Sequence, residues 1–210
     1  VILLSIVISV YFLLLFFAGG NFQKKFLYFS FLGLSFAISY LEMAFSSNNY
    51  AELFFMKISK IGFIFIIASL TLFCIEFTET RKSRKLLKAV ILLPSVFFTV
   101  LIAMQQAKLG VDKCLTLMMG TLFPVGLIMN LVILFVSYRK TNRKDVLAFF
   151  FVLLTAVAFA ATDMSFVIRS AIPFTYLTPW GFVLMILFLF LTLAVEQMMT
   201  MMKQVKLKKI

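Results

Sequence analysis

The sequence predicts an all-α membrane protein, a bundle of seven transmembrane helices. Three observations point there. Of 210 residues, 63% are hydrophobic and only 13% charged, with a mean hydropathy of +1.11, whereas a soluble domain carries about 25% charged residues. Apolar runs of membrane-spanning length recur along the whole chain, separated by short polar loops. The basic residues then gather in alternate loops, as the cytoplasmic loops of a membrane protein do.

The predicted spans cover 1–18, 26–45, 53–77, 86–104, 115–136, 146–167 and 176–199. In hydrocarbon every backbone N–H and C=O must be satisfied within the segment or in a closed barrel, so runs of roughly 20 apolar residues are helices. The alternating segments of about 10 residues that a barrel needs are missing. The first span is already under way at Val1, with no initiating Met, so the expectation is a segment of a longer protein. Lys24 and Lys25 precede the second span, and Ser46–Tyr50 separate it from the third. The basic stretch Arg81–Lys88 leads into the fourth span, where Pro94 is expected to kink the helix; Pro124 is expected to do the same in the fifth. Arg139–Lys144 lead into the sixth, and Pro179 and Gly181 open the seventh. Cys74 falls within the third span and Cys114 in the loop before the fifth, on opposite sides, which predicts no intrachain bridge.

Orientation follows from Lys and Arg. Lys24, Lys25, Arg81, Lys82, Arg84, Lys85, Lys88, Arg139, Lys140, Arg143, Lys144, Lys203, Lys206, Lys208 and Lys209 all fall on one side. Lys57, Lys60, Lys108, Lys113 and Arg169 are the remainder. The first side is expected to be cytoplasmic, with the N-terminus outside, the C-terminus inside and an inner (cytoplasmic) membrane as location. The formal charge of +12 then faces anionic lipid headgroups, and the expected partner is the bilayer, not nucleic acid.

Residues 1–199 read as one sensor-type membrane domain and 200–210 as the start of a cytoplasmic helix. Leu191, Val195, Met198, Met202 and Val205 keep the a/d spacing of a coiled coil across the membrane face. The pattern predicts a continuous helix that leaves the membrane and pairs with a second copy. A basic amphipathic helix lying on the inner leaflet is the alternative.

Ionisable groups at membrane depth are functional candidates by default. Glu42, Lys57, Lys60, Asp163 and Arg169 fall at similar heights near the outer face, and Lys57 and Lys60 share a helix face. They are the candidate ligand-binding residues, suited to a small anionic or zwitterionic ligand; snorkelling lysines with acids as structural partners are the competing reading. Glu76 and Glu196 close the third and seventh spans and are expected to pair with loop lysines, with Glu196 as a candidate restraint on the exit helix. Asn130 is expected to make an inter-helix hydrogen bond, and Gly33, Gly62, Gly120 and Gly126 to permit close helix approach. Without a single His there is no Ser-His dyad, no H-E-x-x-H zinc site and no His-ligated haem. No enzyme activity, cofactor or metal is expected of this segment. A retinal protein would need a lysine within the last span, and 176–199 holds none.

Three stretches carry a family resemblance. FLGLSFAISYLEMAFSSNNYAELFFMKISKIGFIFIIASLTLFCIEFTETRKSR, Phe31–Arg84, ends its second span in an aromatic-acidic turn and runs from KISKIG to LFCIEFT before a basic loop. TDMSFVIRSAIPF, Thr162–Phe174, places an acid at the outer end of the sixth span, and TPWGFVLMILFLFLTLAVEQM, Thr178–Met198, opens the seventh with Pro and Gly. The chain resembles the bacterial seven-helix receptor modules with diverse intracellular signalling modules, and the related type fused to histidine kinases. The resemblance implies a sensor that passes an extracellular or membrane signal through the seventh span to an effector beyond Ile210, since no kinase or cyclase sequence is present in these residues. A small transporter or channel is the alternative function, which matching helix breaks in two repeated halves would favour.

Overall fold

The computed structural model describes residues 2–18, 24–41, 52–79, 84–168 and 178–207, and among them all regular structure is helical. The helices are α1 (Ile2–Ala18), α2 (Lys24–Ser39), α3 (Glu52–Phe77), α4 (Arg84–Met104), α5 (Lys108–Gly120), α6 (Leu122–Thr141), α7 (Lys144–Ile168) and α8 (Thr178–Leu207). Among the described residues five stretches are long and apolar enough to cross a membrane: α3, α4, the α5–α6 segment, Lys144–Asp163 of α7 and Thr178–Met199 of α8. The apolar Ile2–Phe17 of α1 is shorter. The protein is a multi-pass helical membrane protein, and its many exposed Leu, Val and Phe side chains, Leu3, Leu93 and Val96 among them, are what a lipid-facing surface requires.

The chain divides into two units, Val1–Ser137 and Tyr138–Ile210. In the first, α3 is the central element: 67% of its apolar stretch is buried, against 22% for α4. Lipid tails are as apolar as Leu, so burial alone does not hold helices together in a bilayer; close packing and hydrogen bonds do. Both are concentrated on the α2–α3 seam. Ser59 Oγ donates to the Ser39 carbonyl at 2.5 Å. Three residues on, Gly62 lies so near α2 that a Cβ there would stand 2.8 Å from the Ser39 nitrogen and 3.0 Å from the Ser35 carbonyl. Helix α1 joins the opposite side of α2 by the same chemistry, with Ser30 Oγ donating to the Ser9 carbonyl at 2.7 Å and the Phe12 ring edge-on to Phe29 at 4.8 Å. On the far side of α3, Ile64, Ile67, Ile91, Phe98, Ile102, Val111 and Met118 form a second core with α4 and α5.

The stretch expected to be one fifth span is two helices. Helix α5 begins ahead of the apolar run, at Lys108, and the break falls at Thr121 (φ −123°, ψ −73°). Pro124 supplies the reason: it has no N–H to give the Gly120 carbonyl, and its ring crowds that carbonyl. The Thr121 N–H turns back to Met118 at 3.2 Å, and the chain resumes with Val125 donating to Thr121. Pro94, by contrast, sits inside an uninterrupted α4. Cys114, expected in a loop, lies within α5; it and the buried Cys74 are free thiols.

Two helix ends turn through left-handed residues, Glu79 (φ 52°) after α3 and Asn142 (φ 50°) after α6, the conformation common just past a helix C-terminus. In the second unit α7 and α8 run antiparallel. Phe149 stacks on Phe188 at 6.3 Å, and Gly181 approaches Ala156 so that a Cβ would meet its Cα at 3.0 Å. Arg143 grips Asp145 through Nη2 and Nε, at 2.6 and 3.2 Å, at the start of α7.

The glycines separate by this geometry. Gly120, expected to allow close approach, has nothing within 4 Å of an added Cβ. Gly62→Ala is expected to destabilise the protein by about 1–3 kcal/mol through overpacking against backbone, while Gly120→Ala is neutral or mildly stabilising. Unfolding of both variants in detergent micelles checks the contrast.

Candidate functional site

The N-terminus of α3, the C-terminus of α4 and the N-terminus of α5 meet at one end of the first unit. Each brings unpaired backbone groups with it, and the ionisable residues there answer them. Lys57 Nζ donates to the Ala103 carbonyl at 3.0 Å, one of the last carbonyls of α4, where the helix dipole also favours a cation. Glu52, in the first turn of α3, forms an ion pair with Lys108 at the start of α5. Lys60 lies half-buried one turn below Lys57 on the same face of α3. Lys57, Lys60, Lys108 and Glu52 thus gather at this end of the first unit.

Asp163 belongs to the second unit. It is buried at 6% exposure, and its Oδ2 accepts from both the backbone N–H and the hydroxyl of Thr178, each at 2.6 Å. Thr178 opens α8 and Pro179 follows, so the carboxylate satisfies an orphan N–H at the positive end of the helix. Of the five residues expected to bind ligand, Lys57 and Lys60 are together on α3, Asp163 serves the α7–α8 junction, and Glu42 and Arg169 lie outside the described residues. Glu52 and Lys108 were not anticipated as members of the cluster. Their signal in the sequence is weak: an acid opening one helix and a lysine opening another.

The opposite end of the first unit carries a second cluster. Glu76, near the end of α3, pairs with Arg84 and, at 3.2 Å, with Lys88, both in the opening turns of α4. The expected pairing with basic residues of the third loop is therefore present there. Lys88 Nζ also stands 5.5 Å from the centre of the Tyr28 ring.

Asn130 departs from expectation. It is fully buried in α6, yet neither its amide nitrogen nor its oxygen has a hydrogen-bond partner. Phe63 meets Phe123 at 6.4 Å, and a Cβ at Gly126 would meet the Ile67 side chain, so α6 touches α3 through side chains on this stretch.

In α8, Val195, Met198 and Met202 are 47–56% exposed, in line with Leu191 at 60%, and Glu196 is half-buried between them. Val205 continues the helix, but its side chain lies outside the described ones.

Apolar helices closed by charged clusters at their ends, with one helix prolonged past its apolar stretch, define a multi-pass helical membrane protein. More particularly, the chain belongs to the 7TM diverse intracellular signalling family, whose model matches residues 1–196. No curated protein matches the chain, and no solved structure does.

The role of Asp163 is open to a double-mutant cycle. Asp163→Ala and Thr178→Val are each expected to cost about 1–3 kcal/mol, with the pair costing little more than either alone. Denaturant unfolding in micelles reads both; fully additive losses would show that the two residues act independently.

Proposed function

We propose that the chain is the sensor domain of a bacterial inner-membrane receptor, in which an extracellular or membrane signal biases helix packing and α8 relays the change to a C-terminal intracellular effector. Family membership supports the signalling role, and the length of α8 is the observation that carries the relay. Its 30 residues make a rod about 45 Å long, against a hydrocarbon core of about 30 Å. A helix that long overshoots the membrane unless it tilts steeply. The overshoot consists of the polar stretch after Met199, which ends in lysine-rich sequence.

In this reading seven helices cross the membrane with the N-terminus outside, and the basic loops and tail face the cytoplasm. The cluster of Glu52, Lys57, Lys60 and Lys108 then faces outward and receives a small anionic or zwitterionic ligand, while Glu76, Arg84 and Lys88 lie at the inner face. The segment itself performs no catalysis. The exposed line of Val195, Met198 and Met202 runs from the end of the apolar stretch past Met199; where it leaves the hydrocarbon it needs a cover, and a second α8 in a parallel coiled coil supplies one. A homodimer of this kind gives the effector a two-state input.

Single cysteines at Val195, Met198 and Met202, in a background of Cys74→Ala and Cys114→Ala, are expected to form inter-copy disulfides in native membranes, whereas one at Gln197 does not. Uniform or absent cross-linking would mean a helix without a partner. Lys60→Ala is expected to abolish the response of the full-length receptor at unchanged protein level, as read by the output of its effector. A wild-type response would remove the outward cluster from ligand recognition.

A further inference from the structure

Within the first unit, α2, α3 and α4 enclose an apolar groove of about 400 Å³ that runs from Tyr28 to Ile38 along α2. Its floor is small and buried, formed by Ser35, Ala68 and Ser69. Its rim is bulky and open, with Phe31, Leu34, Phe65 and Leu92 38–46% exposed. The floor offers little polarity, because the Ser35 hydroxyl is spent on the Phe31 carbonyl at 2.6 Å. Only an apolar occupant gains from such a slot.

Size and charge decide which one. A slot of this volume takes in one extended acyl chain along its length, whereas a protein helix, about 10–12 Å across, would enter it only by single side chains. From Tyr28 to Ile38 the groove follows ten residues of α2, about 15 Å at about 1.5 Å per residue, which is the depth of one leaflet of a bilayer. The Tyr28 end meets the cluster in which Arg84 and Lys88 share the single carboxylate of Glu76. Between these three residues one positive charge is left over, and the Arg84 Nε, buried from solvent, has no acceptor among the described residues.

We propose that this groove binds one anionic phospholipid, its acyl chain seated along Phe31, Leu34, Ile38 and Phe65 and its phosphate held at Lys88 and Arg84. The lipid would thereby brace α2 against α4 on the face of α3 that the second core leaves uncovered. The site depends on the membrane bundle alone, and a failure of ligand sensing at the opposite end would not touch it.

Native mass spectrometry of the full chain, released from nanodiscs containing equal phosphatidylglycerol and phosphatidylcholine, tests the proposal. One retained phosphatidylglycerol per chain is expected, in preference to phosphatidylcholine by about fivefold, the effect of one basic residue at an anionic surface. Lys88→Gln should erase the preference and Lys88→Arg restore it. Leu34→Trp, on the open rim, should abolish retention of both lipids with the unfolding temperature unchanged; Leu92→Trp is a second plug from the opposite rim. Retention without headgroup preference in the wild type, retention unaffected by either plug, or a lipid-free dimer cross-linked through Leu34→Cys would each overturn it.

Discussion

Backbone-to-backbone approach at Gly62 is the constraint from which the first unit is built. Apolar surface gains little by moving from lipid to protein, so helices in a bilayer associate where small residues let their backbones close in and where hydroxyls can cross the gap. At the α2–α3 seam both occur within one turn, with Ser59 bonded to the Ser39 carbonyl and Gly62 against Ser35 and Ser39. The antiparallel register this sets also brings Phe29 to Phe73 at 5.8 Å. Helix α1 repeats the device on the other side of α2, at Ser9, Ser30 and Gly33. Helix α6 meets α3 by side chains instead, the Ile67 side chain filling the space at Gly126. With partners on several sides, α3 becomes the buried axis, and the groove beside α2 is the flank that those partners leave open.

The ionisable residues follow a second constraint. Every helix arrives with orphan donors at one end and orphan acceptors at the other, and at the edge of a membrane these are answered by whatever polar side chain stands nearby. Lys57 serves a carbonyl at the end of α4, and Asp163 serves the first N–H of α8. A residue used this way is not lost to function. It ties the position of one helix end to the charge state and occupancy of its surroundings, so an anion drawn to Lys57 would compete with the Ala103 carbonyl for the same ammonium group.

This division explains what the sequence could disclose. Long apolar runs mark membrane helices without reference to any partner, and three of the four glycines singled out within them mark contacts: Gly33, Gly62 and Gly126 lie close to a neighbouring helix, while Gly120 stands at a break set by Pro124. Partners could not be read in the same way. The acceptor for Lys57 is a backbone carbonyl, which has no side-chain signature, and the ion pair from Glu52 to Lys108 joins two helix starts that are distant in sequence. Asn130 carries the strongest polar signal in its span, yet its buried amide has no hydrogen-bond partner.

The proposed relay draws these constraints together. Helix α8 is held at its first residue by Asp163 and along its length by Gly181 on Ala156 and Phe188 on Phe149. A rod fastened near one end and about 45 Å long magnifies small motions: a tilt of about 5° at Thr178 displaces the far end by about 4 Å. Helix shifts of only about 1–2 Å suffice to switch packed interfaces between two arrangements. That displacement grows along the apolar stripe from Leu191 to Met202 and is greatest beyond it, so a packing change too small to disturb the α7–α8 contacts would still re-register a proposed pair of such helices past the membrane face.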